Sequence, residues 1–231
     1  MLHAKNNFGK LCREHYFPTM IYYRDIEAST ENNLNIRSHI YAWKEQDEEG
    51  ILRSNVKEVG SWHSQLDMNK RAEYSWITNI ILQTTQDIFN DLDYDPAYEP
   101  AIDNMWANVN PKYGYNRNHT HPNTLWSGVY YVQVPENAGR IYFSDPRAQS
   151  QVLTAHFNPE TERKSEVWSE VYFDPIPGRL ILFPSWLLHE VQPNMSNLAG
   201  QEGDRISLSF NLFQKKKYSA ALSATRLASI R

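Results

Sequence analysis

The sequence predicts a mainly-β domain with flanking N-terminal helices, built as a double-sheet jelly roll. Two patterns carry that prediction. Apolar residues recur at helical spacing through the first hundred positions. After Pro100 the period shortens to two, in short runs rich in Val, Ile, Tyr, Trp and Phe cut by Gly, Pro, Asn and Asp. The runs at 102–109, 125–134, 139–143, 151–156, 170–173, 179–183, 188–191 and 205–213 read as strands. About eight strands suit a jelly roll, whose Greek keys leave a cavity at one end. The 231 residues suffice for one core, since a chain of this size buries roughly 70–75% of its unfolded surface. No repeat or low-complexity linker divides it. The expected organisation is one domain over 1–231, with a helical and irregular buttress at 1–100, a jelly-roll core at 101–215 and a C-terminal tail at 216–231.

In the buttress, Ile36, Ile40 and Trp43 stand at helical spacing ahead of an acidic stretch, 45–50, that reads as a turn. A longer helix is expected over about 73–91, where Ile77, Ile80, Ile81, Ile88 and Phe89 mark one apolar face. The prolines in 93–100 end it. These positions read as core.

A net charge of −4 and a pI near 6.1 leave no broad basic face for a polyanion, so no nucleic-acid partner is expected. The run Lys215-Lys216-Lys217 reads as a solvated end. Cys12 is the single cysteine, which excludes an internal disulfide, a thiolate zinc site and an iron–sulfur cluster within one chain. Any metal must be held by His, carboxylate and water. No stretch reaches the roughly 20 apolar residues of a membrane span, and Met1 to Phe17 lacks the apolar run of a signal peptide. A cytoplasmic protein is expected, in the host cytoplasm if phage-encoded, with no membrane partner and with its oligomeric state open.

His119 and His121 are two residues apart, a spacing that puts both rings on one face of a strand. They stand just before the 125–134 strand, where a jelly roll places its mouth. His189 follows the apolar run Leu180-Ile181-Leu182-Phe183 and its Pro184-Ser185 turn, which would return a third imidazole toward the pair. Three protein ligands on one face of an octahedral ion leave three positions open, the geometry of non-haem Fe(II) oxygenases. His3, His15, His39, His63 and His156 lack such partners in the pattern.

From Arg205 the chain alternates strictly, with Ile206, Leu208, Phe210 and Leu212 on one face and polar groups on the other. If the polar face points into the cavity, the planar guanidinium of Arg205 is suited to bind a carboxylate with two parallel hydrogen bonds. If it points to water, the strand is an ordinary half-exposed one.

With these segments on the page, the chain resembles the Fe(II)- and 2-oxoglutarate-dependent oxygenases, in particular a poorly characterised branch met in bacteria and bacteriophages. The resemblance rests on Trp106-Ala107-Asn108, Asn118-His119-Thr120-His121-Pro122, Ser127-Gly128-Val129-Tyr130-Tyr131, Phe143-Ser144-Asp145-Pro146-Arg147, Leu182-Phe183-Pro184-Ser185 with His189, and Arg205-Ile206-Ser207. Phe17-Pro18 and Trp62-His63-Ser64 also match. It implies a cupin-like double-stranded β-helix, with His119 and His121 in the place of the superfamily's His-x-Asp/Glu pair and His189 as its distal histidine. Arg205 and Ser207 would correspond to the Arg-x-Ser element that holds the distal carboxylate of 2-oxoglutarate. His121 stands where that family carries a carboxylate, and Asp145 is an alternative source of one. Asn108, Tyr130 and Arg147 are further candidates around the cosubstrate, each with a structural role available instead.

The activity implied is hydroxylation of an unknown small-molecule or peptide substrate, with Fe(II) as metal and 2-oxoglutarate decarboxylated to succinate. Two other readings stay open. One is a cupin-like three-histidine dioxygenase without a keto acid, in which Arg205 binds a carboxylated substrate. The other is a non-catalytic jelly-roll binding or virion-associated module.

Overall fold

Residues 11–153 and 155–217 are described by the computed structural model. In chain order they form β1 (Tyr22–Asp25), α1 (Thr30–Gln46), α2 (Glu49–Arg53), β2 (Trp62–His63), α3 (Ser75–Asp91), β3 (Tyr98–Asn110), β4 (Asn116–His119), β5 (Trp126–Gln133), β6 (Ile141–Ser144), β7 (Glu170–Phe173), β8 (Arg179–Pro184), β9 (His189–Val191) and β10 (Arg205–Lys216). The strands make two antiparallel sheets, one ordered β1-β8-β5-β10-β3-β2 and the other β4-β9-β6-β7. This is the jelly roll that the alternating runs predict.

The large sheet separates two apolar layers because successive side chains on a strand point to opposite faces. On its outer face Ile206, Leu208, Phe210 and Leu212 of β10 join Met105, Ala107 and Val109 of β3, and pack against Ile36, Ile40, Ile77, Ile81, Ile88 and Phe89 from α1 and α3. On its inner face Val129, Tyr131, Ile181 and Phe183 meet Ile141 and Phe143 of the small sheet. β8 is apolar along nearly its whole length because both of its faces are covered. Gly128 lets β5 and β10 close up, since a Cβ there would lie 2.3 Å from Phe210 Cζ.

The chain departs from the sequence expectations in three places. Among its described residues the segment 151–156 holds no strand: Ala148–Gln151 is a 3-10 turn, and Val152 and Leu153 beyond it are exposed. Its alternation has no neighbouring strand and no core beneath it, and alternation without a partner does not make a sheet. Residues 45–50 are not a simple turn, because α1 runs through Gln46 and α2 starts at Glu49. Finally, β1, β2 and β4 were not expected. β1 and β2 are the two edges of the large sheet, so the N-terminal hundred residues contribute strands as well as helices.

The tail expected at 216–231 lies outside the described residues beyond Lys217, whose ammonium donates to Pro96 O at 3.0 Å. Among the described residues no helix is long and apolar enough to cross a membrane.

Leu208, fully buried between β10 and the helices, tests this packing. Leu208→Ala is expected to lower unfolding free energy by about 2–5 kcal/mol, seen as a lower urea midpoint at unchanged m-value.

Candidate metal centre

His119 closes β4 and is paired across the small sheet with His189, the first residue of β9. His121 lies past the end of β4, on a turn fixed from both sides. Its backbone N–H donates to Ser185 O at 2.8 Å, and Thr124 Oγ1 donates to Ser185 Oγ at 2.8 Å. Asn123, at φ 67°, supplies the left-handed residue that this turn requires. The structure therefore brings the three imidazoles together through a strand end and a turn, rather than along one strand.

One ring nitrogen from each histidine lies within 4.8 Å of the other two, a set that could hold a metal ion. His119 Nδ1–H donates to Arg117 O at 2.6 Å and His189 Nδ1–H to Leu187 O at 2.8 Å. Carbonyl oxygens only accept, so these bonds fix the proton on Nδ1 and leave each Nε2 with its lone pair inward. His121 Nε2 stands 3.3 Å from His189 Nε2. With the His121 proton on Nδ1, unprotonated nitrogens converge on one point, a donor set that fits a divalent cation.

Burial, then the nearby charge of His119, pushes His121 down to about 4. Burial and then His119 push His189 down to about 3. Both rings are accordingly neutral, as ligands must be, through the physiological range.

Behind the imidazoles, the inward faces of the large sheet form the floor of a narrow cavity of about 50 Å³ lined by Arg205, Ser207, Asn108 and Tyr131. Arg205 is 1% exposed. Its guanidinium donates to Ala138 O, to Gln192 O at 2.9 Å and to Gly114 O at 3.3 Å. No acidic side chain among the described residues forms an ion pair with it. Burial pulls its pKa down to about 10, so it remains a cation at neutral pH. Tyr131 is raised to about 12 by burial, and its buried hydroxyl has no hydrogen-bond partner. An unneutralised buried cation and an unpaired buried hydroxyl in one cavity fit a carboxylate ligand.

The other sequence candidates are placed as follows. Ser207 sits in β10 between Asn108 on β3 and Tyr131 on β5. Asn108 Nδ2 donates to Ser209 Oγ at 3.1 Å. Tyr130 faces the helices instead, with its hydroxyl donating to Asn33 Oδ1 at 2.7 Å, and does not line the cavity. Its neighbour Tyr131 does, and it is the residue that sequence reasoning missed.

Asp145 is outside the histidine cluster: both of its oxygens accept from the Arg147 guanidinium, at 2.9 Å, and the Arg147 backbone N–H and the Ser150 hydroxyl donate to it as well. Arg147 is thereby engaged outside the cavity. Trp106 lines the cavity with its ring centre 6.2 Å from that of His121, and His63 stacks on its other side at 5.4 Å. His15, His39 and His156 are exposed, while His3 lies outside the described residues.

Comparison with known proteins agrees with this geometry. Residues 104–211, which hold all three histidines and the arginine, match the family described as "Putative 2OG-Fe(II) oxygenase". No curated protein matches the sequence. Among solved structures, a prolyl-4-hydroxylase from Pseudomonas putida aligns at 16% identity and TM-score 0.52, over 85% of this chain and 94% of its own. The carbocyclase SnoK of nogalamycin biosynthesis, described as non-heme and alpha-ketoglutarate-dependent, aligns at 13% identity and TM-score 0.54, over 92% and 87%. HygX from Streptomyces hygroscopicus, with nickel and 2-oxoglutarate bound, aligns at 12% identity and TM-score 0.54, over 84% and 82%. These structural likenesses establish the double-stranded β-helix fold. The family match spans 108 of the 231 residues, and over that region, with its three histidines and its arginine, the chain is similar to the 2-oxoglutarate- and Fe(II)-dependent oxygenases.

The depressed imidazoles set the pH response of the metal-free protein. An unfolded histidine titrates near 6.5, well above the values of His121 and His189 in the fold. Between those limits the unfolded chain binds protons that the native site rejects, so stability falls as pH drops below 6.5 toward about 4. Urea midpoints of chelator-treated protein are expected to decline from about pH 7 to about pH 5, and to decline less in His121→Gln/His189→Gln. A flat parent profile contradicts the burial argument.

Proposed function

We propose that the protein hydroxylates an organic substrate, with His119, His121 and His189 holding Fe(II) and the floor of the cavity holding 2-oxoglutarate. The observation that carries this reading is Arg205, buried in the cavity with only neutral carbonyl partners. In the bound state, Fe(II) with 2-oxoglutarate and O2 supplies oxidation of an unactivated C–H bond, the keto acid leaving as succinate and carbon dioxide.

The chain's own groups bind and orient. Arg205 attracts the distal carboxylate, Tyr131 donates its unpaired hydroxyl to it, and Ser207 and Asn108 flank it from the neighbouring strands. Bound through their lone pairs, three imidazoles would contribute no charge to the ion, so the dianionic cosubstrate would supply the neutralisation that a carboxylate ligand otherwise gives. Phe183, Ile141 and Val191 keep the space around these groups apolar and narrow, which strengthens the charge interactions within it.

Anaerobic titration with Fe(II) and 2-oxoglutarate tests this, read as the visible charge-transfer band of the chelate. The parent protein is expected to form the band. His121→Ala is expected to lose iron. Tyr131→Phe is expected to weaken 2-oxoglutarate binding by about tenfold while keeping the metal, and Arg205→Lys by more. Iron retained in His121→Ala but lost in Asp145→Ala would reassign the third ligand. Turnover without succinate would select the keto-acid-free dioxygenase instead.

The substitution of histidine for carboxylate gives a second test. His121→Asp is expected to hold Fe(II) with less help from 2-oxoglutarate than the parent does, measured as the ratio of iron dissociation constants with and without the keto acid. An unchanged ratio would remove the charge argument.

A further inference from the structure

The cavity behind the histidines is too small to take the body of a substrate as well as a keto acid, so the substrate must be held outside it. A cleft of about 460 Å³ lies on the side of β6 and β7, separated from His189 by Phe143 and Leu187. Phe143 and Leu187 form part of its wall, and both also support His189: the Phe143 ring centre lies 5.9 Å from that of His189, and Leu187 O accepts the His189 Nδ1–H.

Four carboxylates and one guanidinium line this cleft. Arg147 neutralises Asp145, and Arg13 lies 3.7 Å from Glu166. Glu14 and Glu170 have no ion pair among the described residues. Aromatic groups stand beside them. Phe17 is held in the left-handed region at φ 58° and is 94% exposed, and Trp168, itself 40% exposed, is anchored by its indole N–H to Arg163 O at 3.0 Å. Carboxylates interleaved with aromatic faces suit organic cations. β7, which enters the cleft at Glu170 and Val171, is an edge strand paired only with β6. An open edge offers main-chain hydrogen bonds to an extended chain.

We propose that this cleft is the substrate site of the oxygenase and takes an extended peptide bearing basic side chains, an assignment that rests on the oxygenase reading above. The peptide backbone runs along β7, its cations lie against Glu14 and Glu170, and its apolar stems cover Phe17 and Trp168.

Fluorescence anisotropy with a labelled peptide of alternating Lys and Ala, and with its Glu/Ala counterpart, tests the cleft without requiring turnover. The Lys/Ala peptide is expected to bind and the Glu/Ala peptide to fail. Glu14→Gln/Glu170→Gln is expected to weaken binding about tenfold, whereas Glu45→Gln/Glu48→Gln, with the same change in net charge on a distant surface, leaves it intact. Trp168→Ala is expected to weaken what binding remains in about 0.5 M salt, where unspecific attraction is screened. Equal binding of both peptides, or equal loss in the two double variants, overturns the proposal. Displacement by spermine as effective as by unlabelled peptide assigns the cleft to a free polyamine and also overturns it. The chelate band needs no peptide: a band without peptide binding removes the cleft assignment alone, and peptide binding without a band removes the oxygenase reading.

Discussion

A guanidinium buried between two sheets, with no carboxylate of its own chain to neutralise it, imposes the strictest demand in this structure. Removing an ion from water costs several kcal/mol even after relaxation. Carbonyls of Ala138, Gln192 and Gly114 offset part of that cost around Arg205. Each comes from a turn or strand end that must approach closely. Gly139 permits one such approach: at φ 82° a Cβ would sit 2.5 Å from Gln192 O. The loops at the closed end of the jelly roll thus converge on one cation, which remains free to attract an anion from the cavity side.

The same arrangement orders charge along the path from floor to surface. Arg205 lines the floor, and the three imidazoles line the same cavity. Glu14 and Glu170 lie further out, in the neighbouring cleft. Under the proposed reading, this separation would favour an anion at the floor and a cation in the cleft by charge alone. The hydrogen bonds from Nδ1 of His119 and His189 to backbone carbonyls make the metal face of this path insensitive to side-chain rearrangement elsewhere, because the main chain sets the ring orientation.

β10 joins the site to the rest of the protein. Its outer face is part of the core shared with α1 and α3, and its inner face presents Arg205, Ser207 and Ser209 to the cavity. The helices therefore bear on the chemistry indirectly: by burying Ile206, Leu208 and Phe210 they hold the polar alternation of the strand inward.

The sequence by itself determined the mainly-β class, the long helix near 75–91, the three histidines and the arginine, because each left a local mark: periodicity, spacing, or a charged residue opening an alternating run. It did not determine short elements such as β2 and β4, whose strand geometry comes from neighbours rather than from their own side chains. Nor did it separate Tyr130 from Tyr131. Both faces of β5 are covered by apolar layers, so its composition carries no inward or outward signal, and a one-residue shift exchanges them. The pairing of Ser207 with Tyr131 across β10 and β5 made that choice. Asp145 is held by its near neighbours Arg147 and Ser150, whereas a contact between segments distant in sequence decided that His121 meets His189. Ligand convergence is a property of the two packed sheets, where register and turn geometry fix which side chains share a point in space.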